Sequence, residues 1–256
     1  MSAEEELLFE REGDVGYLTF NRPAARNALT FGMYRRLAEI CATPPEGLSA
    51  IIVSGAGDAF AAGTDITQFR TFTSARHAID YEATMDEVLG AVERCKVPTI
   101  AAIAGPCTGG GAAIAAACDL RIAGADMRFG FPIARTLGNC LSAANIARLN
   151  ALLGPGRVRE MIFLSRLLDS EEALRVGLVT EVLPSREALM DRARALAARL
   201  AGQAPLTLQA TRELQRRLAE VEVDDEDWIV RCYTSEDFRE GLEAFLAKRK
   251  PNWKGR

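Results

Sequence analysis

Ile100 to Asp119, IAAIAGPCTGGGAAIAAACD, constrains the fold of this chain more than any other stretch. An apolar run with strand character meets three consecutive glycines and then a helix of small residues. Glycine has no side chain to guard its backbone, so the start of that helix presents bare N–H groups, with the positive end of the helix dipole behind them. Such a corner stabilises negative charge.

With 256 residues, 48% of them hydrophobic, the chain can bury a large core, and disorder is excluded. A formal net charge of −4 argues against nucleic acid as a partner, because a phosphate backbone demands a basic excess on some face. The one dense basic cluster is terminal: Lys248, Arg249, Lys250, Lys254 and Arg256. Six scattered cysteines without CxxC spacing, and an acidic rather than basic and apolar start, point to reduced thiols and a cytoplasmic protein. The longest apolar run, Val97 to Ala117, is broken by Pro106 and the glycines, so no membrane span is expected.

Strands are expected at Val15 to Phe20, Ala50 to Ser54, Asp119 to Ala123, Met127 to Phe129 and Val179 to Leu183. Thr30 caps a helix carrying Met33, Leu37 and Ile40, and a second helix runs from Ala75 to Arg94. Gly130 to Leu141 reads as irregular, Ser142 caps a helix to Leu153, and Gly154-Pro155-Gly156 is a break before a helix at Glu160 to Leu164. Asp169 with Glu172 forms a capping signature. From Ser185 the chain is nearly all helix: Arg186 to Leu200, Leu206 to Glu222 and Ser235 to Lys248, the last two separated by the acidic Asp224 to Asp227. An αβ core over residues 1–200 and a helical part over 201–256 are therefore expected.

A second glycine-containing corner, Gly55 to Asp65, also follows a buried strand. Either corner alone reads equally as tight strand-to-helix packing. Nucleotide binding fits poorly, since there is no GxxxxGK[ST] and TGGGAA lacks the GxGxxG spacing; a GxSxG nucleophile elbow is missing too.

Taken together, the corners resemble the enoyl-CoA hydratase/isomerase, or crotonase, superfamily over almost the whole chain. The matching pieces are Asn21-Arg22-Pro23 with Arg26-Asn27-Ala28-Leu29, Gly57 to Ile66, Ile100 to Asp119, and Phe129-Gly130-Phe131-Pro132. Further on come Glu172-Ala173-Leu174 with Gly177-Leu178-Val179, and Glu240-Gly241 with Phe245 to Pro251. The resemblance implies an α/β crotonase-like spiral of ββα units, a C-terminal helical part that drives trimerisation, and a homotrimer or dimer of trimers.

It also implies a chemistry: stabilisation of the enolate of an acyl-CoA or enoyl-CoA thioester by two backbone N–H groups, here Thr64 and Gly110. Thr64 reads alternatively as a helix-capping hydroxyl, and Asp65 as a structural cap. The backbone of Ala62, Gly63, Asp65 and Ile66 would grip the CoA, with Arg22, Lys248 and Lys250 meeting phosphates; a solvated basic tail is the alternative for the lysines. No cofactor beyond the CoA moiety and no metal is implied. Where hydratases of the family place two glutamates, this chain has Ala113 and Ile133, or Ala134 in a register one residue longer. None of these titrates, so hydration by paired carboxylates is not supported. Candidate bases are Cys140, if its pKa is lowered, and His77, the only histidine; a buried inert thiol and a surface imidazole are the alternatives. Asn139 is expected near the acyl group, while Phe69, Phe72 and Met85 line an acyl channel or simply fill core. Two readings stand: an enzyme of isomerisation, elimination, decarboxylation or retro-aldol type, or an acyl-CoA-binding protein without chemistry.

Overall fold

The computed structural model describes residues 2–219 and 226–254. The expected helix end at Glu222, the start of the acidic run at Asp224 and the terminal Arg256 lie outside them. A short helix α1 (Ala3–Glu6) leads into a hairpin of β1 (Leu7–Glu12) and β2 (Val15–Phe20), followed by α2 (Phe31–Ala42), β3 (Ala50–Gly55), α3 (Ala75–Glu93) and β4 (Thr99–Ile103). Then come β5 (Pro106–Thr108), α4 (Gly110–Ala117), β6 (Leu120–Gly124), β7 (Arg128–Gly130), α5 (Ile133–Thr136), α6 (Ala143–Leu153) and α7 (Pro155–Phe163). The remainder is β8 (Leu168–Asp169), α8 (Ser170–Arg175), β9 (Val182–Leu183), α9 (Arg186–Ala201), α10 (Pro205–Ala219), α11 (Glu226–Tyr233) and α12 (Glu236–Leu246).

Two sheets organise these elements. The large one has the order β1-β2-β3-β4-β6-β9, antiparallel only at β1 and β2; the small one has the order β5-β7-β8. Every residue of β3 and β4 is buried, which is why AIIVSG and TIAAI read as apolar runs instead of alternating. One face of the sheet is covered by α9, whose Leu189, Ala193 and Ala197 pack on Ile52, Ile100 and Ile122. The other face carries the main core, with Leu37, Ile51, Val53, Leu89, Ala101 and Ile114.

Each turn of the spiral sends one strand into the large sheet and the next few residues into the small layer. Thus β4 is followed by β5 and then α4, and β6 by β7. Ala61, after β3, joins the same layer through an isolated parallel bridge to Cys107. Connections of unequal length hide this repeat from the sequence.

Several expectations are adjusted. β1 is a new edge strand whose outer half, Glu10-Arg11-Glu12, carries the charges that edges tolerate. Cys107 and Thr108 form β5. The irregular stretch contains α5, and Pro155 starts α7 at its first position instead of delaying it to Glu160. The strand at Val179 shrinks to Val182–Leu183. Asp169 does cap α8, accepting from Glu172 N–H at 2.8 Å, but the Glu172 carboxylate turns to Arg157 (2.7 Å) and Arg166. Thr30 and Ser142 cap α2 and α6 as expected.

The C-terminal helices lie on the chain's own core. Arg212 of α10 reaches Val97 O and the Asp119 carboxylate, each at 3.3 Å. α11, whose start lies inside the acidic run, packs on α3, and Gly241 of α12 abuts Leu137, where a β-carbon would sit 2.7 Å from its carbonyl oxygen. Among the described residues no helix is long and apolar enough to cross a membrane.

Asn27 holds this framework at the point where the site is built. Fully buried and at a φ of 56°, it donates to Ala56 O (2.8 Å) and Ala59 O (2.7 Å) and accepts from Arg22 N–H (2.9 Å). Asn27→Ala strands these groups away from water and should cost about 3–5 kcal/mol. Asn27→Asp should not rescue it, because a carboxylate cannot donate to carbonyls. Urea midpoints check both, and an unchanged midpoint for the alanine variant would refute this role.

Candidate active site

The first corner is stitched on both sides. Ala61 N–H donates to Pro106 O (3.2 Å) and Thr108 N–H to Ala61 O (3.0 Å), while Ala62 N–H donates to Arg26 O (3.0 Å). Leu29 N–H donates to Gly63 O and Asp65 N–H to Leu29 O, both at 2.8 Å. In such a parallel bridge the residue between the two bonded groups, Thr64, points its own N–H away from Leu29. Gly63, at a φ of 104°, makes the bend possible.

The second corner starts α4. Gly109 N–H donates to Gly130 O at 3.0 Å, but Gly110 is the first residue of the helix, where an N–H has no intrahelical acceptor. A β-carbon on Gly110 would lie 1.8 Å from the Tyr34 hydroxyl and 3.2 Å from Thr64 Oγ1, and one on Gly109 would lie 3.4 Å from Gly63 Cα. The two corners therefore touch, and only glycine lets them. Thr64 Oγ1 is hydrogen-bonded to the hydroxyls of Tyr34 (2.8 Å) and Tyr81 (3.0 Å). Burial pushes both phenols above their ordinary pKa, partly offset by the bond to Thr64, so both stay protonated at neutral pH.

A cavity of about 630 Å³ opens on these corners. Ala62, Gly63, Thr64, Asp65, Ile66 and Gly110 all line it. So do the apolar Phe69, Met85, Leu89, Ala113, Ile133 and Leu137, and the exposed Arg26 and Arg128. Of the two register candidates Ile133 lines the cavity and Ala134 is exposed. Asn139 and Asn145 also line it and bring amide groups to an otherwise apolar wall.

Other expected residues are held by contacts of their own or stand outside this lining. The Arg22 guanidinium is committed to Ala28 O (2.5 Å), Asp65 (3.0 Å) and Glu6 (3.2 Å), bracing the corner instead of lining the cavity. Asp65 accepts from the backbone and hydroxyl of Thr67 at 3.1 and 2.7 Å. Burial raises its pKa, but these bonds and Arg22 outweigh that and hold it below the usual value. Lys248 and Lys250 are exposed and stand just beyond Phe245 and Leu246, which line the cavity. His77 is exposed, and its Nδ1 accepts from Thr73 N–H at 3.1 Å. It lines, with Phe72, a smaller cavity of about 350 Å³ that shares Tyr34, Tyr81 and Met85 with the first. Cys140 is absent from the main cavity's lining; its bond to the Cys232 thiol, burial and the Glu82 carboxylate all push its pKa up, the reverse of what a base requires.

Glu82, Tyr34 and Tyr81 were missed. Glu82 lines the cavity at 3% exposure; its Oε2 accepts from Ser142 N–H at 3.1 Å, and its Oε1 from the Tyr233 hydroxyl. The signal was present: Glu82 interrupts the stripe Ala78, Met85, Leu89 at helical spacing. Among the described residues no group of three or more His, Cys, Asp or Glu could hold a metal ion.

A model of the enoyl-CoA hydratase/isomerase family matches residues 10–256. The chain is 31% identical to the short-chain-enoyl-CoA hydratase of Clostridium acetobutylicum, covering 95% of each chain. It is 35% identical to the carnitinyl-CoA dehydratase of Citrobacter koseri, covering 98% of this chain and 99% of that one. A methylmalonyl-CoA decarboxylase structure in complex with 2-nitronate-propionyl-CoA superposes with a TM-score of 0.86 at 25% identity, covering 98% and 99%. The α/β fold is thus crotonase-like.

Gly110→Ala should destabilise the chain by about 1–3 kcal/mol through its collision with Tyr34. In the Tyr34→Phe background the nearest ring atom is Cζ, 3.1 Å from the added carbon, and much of that cost should vanish. A double-mutant cycle by chemical denaturation measures the coupling, and strictly additive losses would disprove the contact.

Proposed function

Because the chain belongs to the enoyl-CoA hydratase/isomerase family, we propose that it binds an acyl-CoA or enoyl-CoA thioester and stabilises its enolate, in an isomerase- or lyase-type step and not by standard hydration. The observation that carries this reading is the meeting of Thr64 and Gly110, whose N–H groups escape the surrounding backbone ladders at the head of one cavity. Donors fixed before charge develops need no reorganisation, and one such donor is typically worth about 3–4 kcal/mol of barrier. Ala113 and Ile133 on the same wall offer no proton to add water with, which supports a step other than hydration. The decarboxylase likeness supports a fold that hosts such steps. The second reading, a family member that binds acyl-CoA without chemistry, draws on the same two apolar residues.

The CoA would lie along Ala62, Gly63, Asp65 and Ile66, with its phosphates toward the cations at the cavity mouth, Arg26 and Arg128, and beyond them Lys248 and Lys250. The exposed side chains of Leu206, Leu214 and Leu218 on α10 support burial against further copies, as a homotrimer or dimer of trimers.

A panel of saturated and enoyl-CoA thioesters incubated in D2O should show deuterium entering at the carbon next to the thioester carbonyl, with no hydrated product from the enoyl members. Binding without exchange or turnover across the panel favours the silent binder, and efficient hydration contradicts the stated step. Sedimentation equilibrium should give the mass of three or six chains; a monomer at micromolar concentration sinks the assembly.

A further inference from the structure

We propose that Glu82 is the acid–base residue of this site, exchanging a proton with the carbon next to the thioester carbonyl while the Thr64 and Gly110 N–H groups hold the oxygen. The proposal rests on the enolate reading above. Glu82 lies on the cavity-facing stripe of α3 with Met85 and Leu89, which line the same cavity. The preceding residue, Tyr81, hydrogen-bonds Thr64 Oγ1 at 3.0 Å, so the helical turn that braces the oxyanion corner also delivers the carboxylate.

A carboxylate 3% exposed is costly to keep unless donors meet it. Here Ser142 N–H, at the start of the eleven-residue α6, donates to Oε2, and the Tyr233 hydroxyl donates to Oε1. Both donors, and the positive end of α6, meet the carboxylate oxygens directly. Tyr233 accepts in turn from Asn139 Nδ2 at 3.2 Å, which makes it a positioning residue. Among the described residues the other carboxylate on the cavity wall is Asp65, which is engaged with Arg22 and Thr67.

In the step itself the carbon–hydrogen bond next to the carbonyl breaks and the proton passes to a Glu82 oxygen. The released electron pair forms the carbon–carbon double bond of the enolate, and the carbonyl pair moves onto the oxygen between the two N–H groups. Return of the proton to the same carbon gives exchange; in a β,γ-unsaturated enoyl thioester, return to the far end of the delocalised system gives double-bond migration. No oxidant or further reactant enters.

Deuterium incorporation from D2O into butyryl-CoA, with butyryl-CoA affinity measured in parallel, tests the assignment. Glu82→Gln, which keeps the shape and can still accept from Ser142 N–H, should lower the exchange rate about 10²- to 10⁴-fold with affinity retained. Glu82→Asp should recover part of the rate. A glutamine variant that exchanges at the wild-type rate overturns the proposal and leaves the enolate reading standing. Wild-type protein that binds butyryl-CoA without exchange overturns the enolate reading and Glu82 with it. If the glutamine variant fails to fold, Glu82→Asp decides: a rate loss no larger than its affinity loss overturns the proposal.

Discussion

The contact of Ala61 with the glycine corner is the constraint on which the rest of this molecule depends. Its N–H and carbonyl bond to Pro106 and Thr108, and its carbonyl oxygen lies 2.3 Å from where a β-carbon on Gly111 would stand. That approach joins the end of one spiral turn to the start of the next. It is a steric condition before it is a chemical one: backbone must reach backbone, and any side chain at Gly111 would hold the layers apart. The exposed N–H groups of the site are a by-product of a packing requirement, left over where two ladders meet at an angle.

How such a site keeps its shape follows from the side chains beneath it. Tyr34, Thr64 and Tyr81 form a buried hydroxyl cluster under the corners. Tyr81 belongs in addition to an aromatic cluster with Phe69, Phe72 and Tyr233, with ring centroids 5.0 to 6.0 Å from Tyr81. The cluster joins α3 to α11 and to the turn after Asp65. Rigid aromatic packing with satisfied hydroxyls fixes the geometry in which charge can be met.

The backbone part of this arrangement was legible in the sequence, because consecutive glycines between a strand and a helix mark a place where backbone must come close to something. Thr30, Ser142 and Asp169 were readable as caps for an equally local reason. What escaped was decided by tertiary contact. β1 looks half charged because it is an edge, and α11 is short and begins inside an acidic run. His77 and Cys140 are of types that suit acid–base chemistry, yet the His77 imidazole is exposed and tied to Thr73 N–H, and Cys140 is bonded to another thiol. Glu82 does not stand out in the sequence because α3 also carries Asp80, Asp86, Glu87 and Glu93, and acids in a helix usually mark its wet face. Only its phase relative to Ala78, Met85 and Leu89 sets it apart, and phase is trustworthy once the helix boundaries are known.

Asn27 carries a consequence for how the molecule comes into being. The carbonyls that it clasps lie 29 and 32 residues further along the chain, across the β2–β3 pairing, so its bonds are long-range contacts. The bridges at Leu29 and Ala61 are likewise non-local. Closing such loops costs entropy that is recovered only when the whole set of contacts is in place. A chain halted midway through folding would possess every glycine of the motif and no pocket of positive potential. The site is a property of the finished topology, and the ability to hold an oxyanion is a report that the last long-range closure has occurred.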